Sequence, residues 1–203
     1  APLGSFFKLI TAYEGLRQGK TPTLIDDRSK NPKHLAYSLD GNPYPRIYKG
    51  GRIPQSSPLQ IGKIDILGAL EQSSNAYFSI LAGDYLAHPE DLKIAAQNFG
   101  YGEKTGIALP GEACGNLPDD LETNRTSLYS FAIGQHTLLA TPLQTSIALS
   151  AIGNGGQLFR PKILLSSSGL TPDRIELSLF STKNNVVEQE LKTLGIPFSL
   201  FTA

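Results

Sequence analysis

The sequence of 203 residues contains no methionine, no tryptophan and a single cysteine, Cys114. One cysteine cannot form a disulfide within the chain, so it says little about the redox compartment, and we expect a small, partly buried side chain in a loop. The absence of methionine leaves no initiator residue. We therefore expect the chain to be a fragment of a longer protein.

Neither sign of charge dominates, because 18 basic residues balance 18 acidic ones. Without a basic run, a nucleic-acid or anionic-membrane surface is not expected. No segment is long enough and apolar enough to span a bilayer, so any membrane anchor is expected upstream of Ala1. The three histidines, His34, His88 and His136, lack metal-ligand spacing, and His136 is expected to be an ordinary loop histidine. The remaining composition predicts one globular domain.

A serine and a lysine stand three residues apart near the start of the chain, in Ser5-Phe6-Phe7-Lys8. On a helix this spacing places both side chains on one face, close enough for the lysine amine to take the proton of the serine. The pair is a candidate nucleophile with its general base. The same spacing also arises by chance, so an N-cap serine beside a solvated lysine is the alternative.

The surroundings of this pair favour a neutral lysine, because desolvation and the positive end of a helix beginning near Ser5 both disfavour the ammonium form. Gly4 would let a second backbone approach closely. The Ser5 N–H, in a first helical turn, would be available to bind an oxyanion. Desolvation is expected from four apolar neighbours: Phe6, Phe7, Leu9 and Ile10.

A second polar cluster, Ser73-Ser74-Asn75, separates two stretches of helical periodicity at 63–72 and 76–86. The hydroxyl of Ser73 can relay protons, and the amide of Asn75 can hold a lysine and a substrate carbonyl together. The alternative is a helix N-cap, and both interpretations are compatible.

Because it contains both motifs, the chain resembles the transpeptidase domain of penicillin-binding proteins. That family has three short motifs, here called boxes: Ser-x-x-Lys, Ser-x-Asn and Lys-Thr/Ser-Gly. The resemblance extends over residues 1–163. Its Leu-Pro-Gly-Glu and Ala-Thr-Pro-Leu-Gln sequences are closer to those of the monofunctional class B enzymes of elongation or division than to those of class A. The matching segments follow the family's order: Leu3-Gly4-Ser5-Phe6-Phe7-Lys8, then Tyr101-Gly102-Glu103-Lys104-Thr105-Gly106-Ile107-Ala108-Leu109-Pro110-Gly111-Glu112, Ile133-Gly134-Gln135, Ala140-Thr141-Pro142-Leu143-Gln144 and Ala151-Ile152-Gly153-Asn154-Gly155-Gly156.

The resemblance implies an α+β fold of the penicillin-binding transpeptidase and serine β-lactamase type, an antiparallel sheet flanked by helices. It implies that Ser5 is the nucleophile, Lys8 the acylation base, Ser73 the proton relay and Asn75 the positioning amide, with Ser74 contacting substrate. The implied substrates are peptidoglycan stem peptides ending in D-Ala-D-Ala, and β-lactam antibiotics would acylate the same serine. No metal or organic cofactor is implied.

The implied location is extracytoplasmic, on the periplasmic side of the inner membrane. The implied partners are a membrane glycosyltransferase and cell-wall assembly proteins. Two alternatives stay open: a serine β-lactamase or β-lactam sensor on the same fold, and a non-catalytic scaffold of cell-wall assembly.

The most important departure from the family's pattern concerns its third motif, Lys-Thr/Ser-Gly. Lys104-Thr105-Gly106 matches it literally, but its flanks identify a connecting segment, and in Lys192-Thr193-Leu194-Gly195 the inserted leucine would place the glycine on the wrong face of a strand. Residues 1–203 are therefore expected to form a partial transpeptidase domain, incomplete at both ends and stopping just short of the third box. Periodicity further predicts helices at 89–98, 141–152 and 184–194, a strand at 157–165, and short hairpins forming an active-site rim within 21–60.

Overall fold

The computed structural model describes residues 1–26, 34–39, 46–49, 62–163 and 180–184. Contacts divide the chain into two compact units. The first unit comprises Ala1–Ala95 and Leu117–Leu138, and the second comprises Ala96–Asn116 and Leu139–Ala203. The assignment of 1–203 to one partial domain stays a prediction.

The first unit opens with a 3₁₀ turn, Gly4–Phe7, that leads directly into helix α1, Lys8–Arg17. Four strands follow, β1 (Leu24–Asp26), β2 (His34–Leu39), β3 (Arg46–Lys49) and β4 (Gly62–Ile64), and they pair antiparallel in the order β3-β2-β1-β4. Leu24 stands opposite Leu39 on one side and Ile64 on the other. The predicted hairpins within 21–60 are therefore present, while their role as an active-site rim stays a prediction.

Helices complete this unit: α2 (Ile66–Glu71), α3 (Asn75–Ile80), a π-helical continuation (Leu81–Tyr85), most of α4 (Asp91–Asn98) and α5 (Arg125–Phe131). Its core is a cluster of apolar side chains from α1, the sheet and the helices α2, α3 and α5. Two buried hydroxyls bridge elements, since Ser79 Oγ donates to Tyr129 O at 2.8 Å and Thr11 Oγ1 donates to Ala132 O at 2.7 Å.

The second unit contains α6 (Pro142–Gly153) and the antiparallel pair β5 (Leu158–Pro161) and β6 (Phe180–Asn184). Thr141 and Gln144 form a reciprocal capping box at the start of α6, with Pro142 in the first turn. The helix predicted at 141–152 and the strand predicted within 157–165 are thus present, the strand as far as residues are described.

Two predicted helices and the predicted burial of Cys114 need correction. The helix predicted at 63–72 begins at Ile66, because Gly62–Ile64 pairs with β1 and Asp65 accepts the Gly68 N–H at 2.8 Å as the helix N-cap. The helix predicted at 184–194 cannot begin at Asn184, which ends β6, and its other residues lie outside the described part of the chain. Cys114 is exposed instead of partly buried.

The buried face of α6 also differs from the predicted stripe of Leu143, Ile147, Leu149 and Ile152. Of that set Ile152 is buried, and the other buried residues of the helix are Gln144, Ala148 and Ala151. The reason is polar: Gln144 turns inward because its amide donates to the carbonyls of Glu103 at 2.6 Å and Cys114 at 2.9 Å.

Candidate active site

The 3₁₀ turn and α1 place Ser5 and Lys8 as their spacing predicts. Ser5 is exposed, whereas the Lys8 side chain, at the first position of α1, is only 2 % exposed. Lys8 Nζ lies 3.1 Å from Ser5 Oγ. An accessible hydroxyl therefore lies beside a buried amine.

Ser73 reaches the same amine from the junction between α2 and α3. Helix α2 ends in a Schellman motif, in which the Ser74 N–H donates to Ala69 O and the Ser73 N–H donates to Leu70 O. Ser73 occupies the left-handed position of that motif, with φ +50°. This backbone conformation turns both its carbonyl and its hydroxyl towards Lys8.

Three polar side chains consequently meet within hydrogen-bonding distance. Lys8 Nζ lies 2.6 Å from Ser73 O and 2.8 Å from Ser73 Oγ, and Ser73 Oγ lies 3.2 Å from Ser5 Oγ. The structure thus brings together Ser5, Lys8 and Ser73 in the mutual cluster that the two boxes predict.

Burial changes the acid–base character of the lysine. Desolvation lowers the pKa of Lys8 from 10.5 to about 8, because a charged ammonium loses water on entering the protein. At pH 7 about a tenth of such a lysine is neutral, which makes it competent as a general base. Of the four neighbours expected to exclude water, Phe7 and Ile10 are buried, but Phe6 is 58 % exposed and cannot serve that purpose.

The two remaining residues of the Ser-x-Asn box begin α3. Ser74 is its N-cap: the side chain is buried, and its Oγ accepts the Tyr77 N–H at 3.2 Å. Asn75 is the first helical residue and is half-buried. The N-cap alternative is therefore correct for Ser74, while the predicted contact of Ser74 with substrate and the positioning role of Asn75 stay predictions.

The backbone beside Ser5 is held by a loop that follows α5. The Gly4 N–H donates to Gly134 O at 2.9 Å, and a Cβ on Gly134 would lie 2.1 Å from Gly4 O. The close backbone approach predicted at Gly4 thus exists, although the missing side chain that permits it is that of Gly134. At Gly4 the need for glycine is a left-handed φ of +62°.

Sequence reasoning missed Thr11, which continues the polar face of α1 one turn beyond Lys8. It is fully buried and bonds the carbonyl of Ala132 in the same loop. A hydroxyl three residues after Lys8, within an apolar stretch, was the available signal.

In the second unit, the literal Lys104-Thr105-Gly106 lies in no strand, as predicted. Glu112 accepts from Thr105 Oγ1 at 2.5 Å, Thr105 N at 2.6 Å and Gly106 N at 3.2 Å. Slight burial opposes ionisation, but these hydrogen bonds outweigh it and lower the pKa of Glu112. The two ends of this segment, Thr105-Gly106 and Glu112, are therefore hydrogen-bonded to each other and form a closed loop.

Among the described residues, no group of histidine, cysteine or acidic side chains has the geometry of a metal site. Nor does this described part of the chain contain a helix both long and apolar enough to cross a bilayer.

Curated proteins of similar sequence carry penicillin-binding or transpeptidase names. The chain is 33 % identical to penicillin-binding protein H of Bacillus subtilis over 170 residues, which cover 77 % of this chain and 23 % of that protein. It is 31 % identical over 181 residues to the peptidoglycan D,D-transpeptidase MrdA of Acinetobacter baumannii, covering 84 % of this chain and 25 % of that protein. The chain thus spans about a quarter of the length of these relatives.

Solved structures show the same fold. PBP2 of Pseudomonas aeruginosa, in complex with WCK 5153, superposes with a TM-score of 0.65 at 21 % identity over 95 % of this chain and 43 % of that chain. PBP2 of Helicobacter pylori, in complex with MreC, gives a TM-score of 0.65 at 22 % identity over 96 % and 33 %. The fold is therefore of the penicillin-binding and β-lactamase type, as predicted.

The family model of the penicillin-binding protein transpeptidase domain matches residues 1–193. The relatives also fit the class B, elongation- or division-type expected from the sequence. The chain belongs to the penicillin-binding protein transpeptidase family.

Proposed function

We propose that this chain carries the acyl-transfer site of a peptidoglycan D,D-transpeptidase. The observation that supports this most directly is the cluster of Ser5 Oγ, Lys8 Nζ and Ser73 Oγ around a lysine that is 2 % exposed. Family membership supplies the class of reaction. The geometry supports a role for each residue.

The hydrogen-bond pattern favours Lys8 as the base. A neutral amine has two N–H donors and one lone pair, and Ser73 O can only accept. If Nζ donates to Ser73 O at 2.6 Å and Ser73 Oγ at 2.8 Å, the lone pair is left for the hydroxyl of Ser5. Ser73 thus orients the base as well as touching the nucleophile.

In the acylation step, Ser5 Oγ attacks the carbonyl carbon of the penultimate D-Ala while Lys8 Nζ takes its proton. The new bond joins Ser5 Oγ to that carbon. The bond that breaks joins the carbon to the nitrogen of the terminal D-Ala. Ser73 Oγ relays a proton to the departing amine, and Asn75 positions the substrate carbonyl.

In the second step an amine from a neighbouring stem peptide attacks the acyl-enzyme, and Ser5 recovers its proton as the ester bond breaks. A β-lactam follows only the first step, because its ring nitrogen stays tethered. The Ser5 N–H is proposed as one oxyanion donor.

The setting of the site is likewise a proposal. We place it outside the cytoplasm, on the periplasmic side of the inner membrane. The partners we propose are a membrane glycosyltransferase and a cell-wall assembly protein, the latter supported by the H. pylori PBP2 that was solved in complex with MreC.

Labelling by a fluorescent penicillin tests the proposal in the native full-length protein. We expect Ser5→Ala to abolish covalent labelling and Lys8→Met to slow it by several orders of magnitude, because nucleophile and base act as a unit. Ser146→Ala is the matched control, since the hydroxyl of this exposed serine donates to Pro142 O of its own helix, α6, at 2.9 Å. Undiminished labelling of the Ser5→Ala protein would exclude this site.

The same experiment separates the alternatives. A β-lactamase would release the label within seconds to minutes and turn over further penicillin, whereas a transpeptidase retains it. A non-catalytic scaffold would never be labelled. The Leu-Pro-Gly-Glu and Thr-Pro-Leu-Gln segments weigh against the β-lactamase.

A further inference from the structure

Asp120 is the centre of another polar cluster in the first unit, apart from the cluster of Ser5, Lys8 and Ser73. Its Oδ1 accepts from Ser127 Oγ at 2.6 Å and lies 3.1 Å from His136 Nε2, while its Oδ2 accepts from Asn124 Nδ2 at 2.9 Å. Asn124 is the N-cap of α5, Ser127 lies in its first turn, and His136 lies in the loop beyond its end. One carboxylate therefore fastens both ends of α5.

The loop that receives His136 is the one that holds the nucleophile. Helix α5 ends in a Schellman motif, with Gly134 in the left-handed position and hydrogen bonds from Gly134 N to Phe131 O and from Gln135 N to Ser130 O. Gly134 O then accepts the N–H of Gly4, the residue before Ser5.

His136 itself adopts a left-handed backbone, with φ +66°. Histidine is among the few non-glycine residue types that adopt this conformation with some frequency. The contact of His136 Nε2 with Asp120 Oδ1, at 3.1 Å, ties this left-handed residue to the segment before α5. The pair therefore fixes the position of the loop.

We propose that Asp120 is a positioning residue for Ser5: through His136 it fixes the loop whose Gly134 carbonyl anchors the backbone of Gly4. The assignment of Ser5 as nucleophile rests on the proposed function above. Asp120 touches no reacting atom in this scheme, and its effect passes through the loop.

Hydrogen exchange of the Gly4 amide tests this coupling without any need for activity. We expect His136→Ala and Asp120→Ala to accelerate exchange at Gly4 about tenfold or more, because the acceptor Gly134 O is no longer held. In the His136→Ala protein the α5 amide of Leu128, which donates to Asn124 O, should stay within about twofold of its original rate. Asp119→Ala is the matched control, because the neighbouring carboxylate is 90 % exposed and pairs with Lys93 at 2.7 Å.

A donor–acceptor exchange provides a rescue. Asp120→Asn places an amide NH₂ against Asn124 Nδ2, so two donors face each other, and Gly4 exchange should rise. Adding Asn124→Asp restores an acceptor there and keeps a good N-cap for α5. The double variant should therefore return Gly4 exchange to within about threefold of the original protein.

Penicillin acylation gives the second readout in the full-length protein. For His136→Ala the first-order acylation rate should fall by about tenfold, while the affinity of the preceding noncovalent complex stays unchanged. Unchanged Gly4 exchange in both single variants overturns the proposal, and so does faster exchange with an unchanged acylation rate. If the original protein is never acylated, the proposed function fails, and the exchange data still decide whether Asp120 holds Gly4.

Discussion

Ser73 presents two oxygens to one nitrogen: its carbonyl O lies 2.6 Å and its Oγ 2.8 Å from Nζ of Lys8. The left-handed backbone of Ser73 makes this double contact possible. At the equivalent position of the Schellman motifs that end α1, α4 and α5, the chain has glycine: Gly19, Gly100 and Gly134. Helix α2 thus ends on a serine where three other helices end on glycine, and the difference coincides with the candidate active site.

Ser73→Gly should impair acylation with little net change in folding stability. A left-handed conformation costs a non-glycine residue roughly 1–2 kcal/mol, which glycine avoids. The carbonyl contact to Lys8 would remain, but the proton relay would be lost. The loss of the hydrogen bond between Lys8 Nζ and Ser73 Oγ costs about 1–2 kcal/mol and offsets that relief, so the free energy of unfolding, measured with urea, should change little, while labelling by fluorescent penicillin slows.

Ser73→Ala is the matched variant, since it also lacks the hydroxyl but keeps the left-handed cost. It should be less stable than Ser73→Gly by about 1 kcal/mol. If both variants have equal stability, the backbone of Ser73 is not strained in the way we describe.

The residues of the candidate site could be predicted because the chemistry restricts both residue type and spacing. Ser5 and Lys8 meet through local helical geometry alone. Ser73 lies 65 residues beyond Lys8, and only the resemblance to a family linked the two boxes before the structure did. The strained backbone of Ser73 could not be predicted, because at a helix end the sequence rule favours glycine.

The elements were predicted best where capping signals agree with periodicity, as in α6 with Thr141 and Gln144. Periodicity alone misassigned Lys63 and Ile64 to a helix, because two residues cannot reveal a period and the pairing of β4 with β1 is a long-range effect. It also misjudged the buried face of α6, since the burial of a glutamine depends on carbonyls 30 and 41 residues away. Asp65 was the overlooked local signal for the start of α2.

Gly134→Ala should disrupt the anchoring of the nucleophile. The new Cβ would lie 2.1 Å from Gly4 O, a backbone atom that cannot move without shifting Ser5. Together with the left-handed φ of +76°, this overpacking should cost about 2–4 kcal/mol of folding free energy. Acylation should slow in proportion to the displacement of Ser5.

Gly19→Ala controls for the conformational part of this cost. Gly19 occupies the same motif at the end of α1, with φ +64°, but a Cβ on Gly19 would meet no other atom within 4 Å. Its substitution should cost only about 1 kcal/mol and leave acylation unchanged. If urea unfolding shows that both alanine variants lose the same free energy of unfolding, a specific close approach at Gly134 is contradicted.

Gln144→Leu should destabilise the second unit although leucine has a similar volume. The buried amide of Gln144 donates to Glu103 O and Cys114 O and accepts the Thr141 N–H at 2.8 Å. Leucine would leave these three backbone groups without that partner, at a cost of about 3 kcal/mol. Gln157→Leu is the control, because the hydrogen bonds between residues 154 and 157 use the backbone of Gln157. If thermal unfolding shows the same decrease in Tm for both variants, the role proposed for Gln144 is wrong.

The acylation rate should rise with pH as Lys8 loses its proton. With a pKa of about 8, the neutral fraction grows about tenfold between pH 7 and pH 9 and then saturates. The acylation rate by fluorescent penicillin should follow that curve in the full-length protein. A rate that is flat from pH 6 to pH 9 would mean that Lys8 is not the titrating base.

Folding stability should respond to the same proton in a direction fixed by linkage. Because burial depresses the pKa of Lys8 from 10.5 to about 8, the unfolded chain binds the extra proton between these two values. The contribution of Lys8 to stability is therefore lowest below pH 8 and increases as pH rises towards 10.5. The full difference between the two pKa values corresponds to about 3 kcal/mol.

Since other groups titrate in this range, the useful quantity is the free energy of unfolding of the original protein minus that of Lys8→Met, whose side chain has a similar length and no charge. This difference should grow in favour of the original protein from about pH 7 to pH 10, measured by urea unfolding at each pH. A constant difference would show that burial does not depress the pKa of Lys8, and the case for a neutral amine beside Ser5 would fail with it.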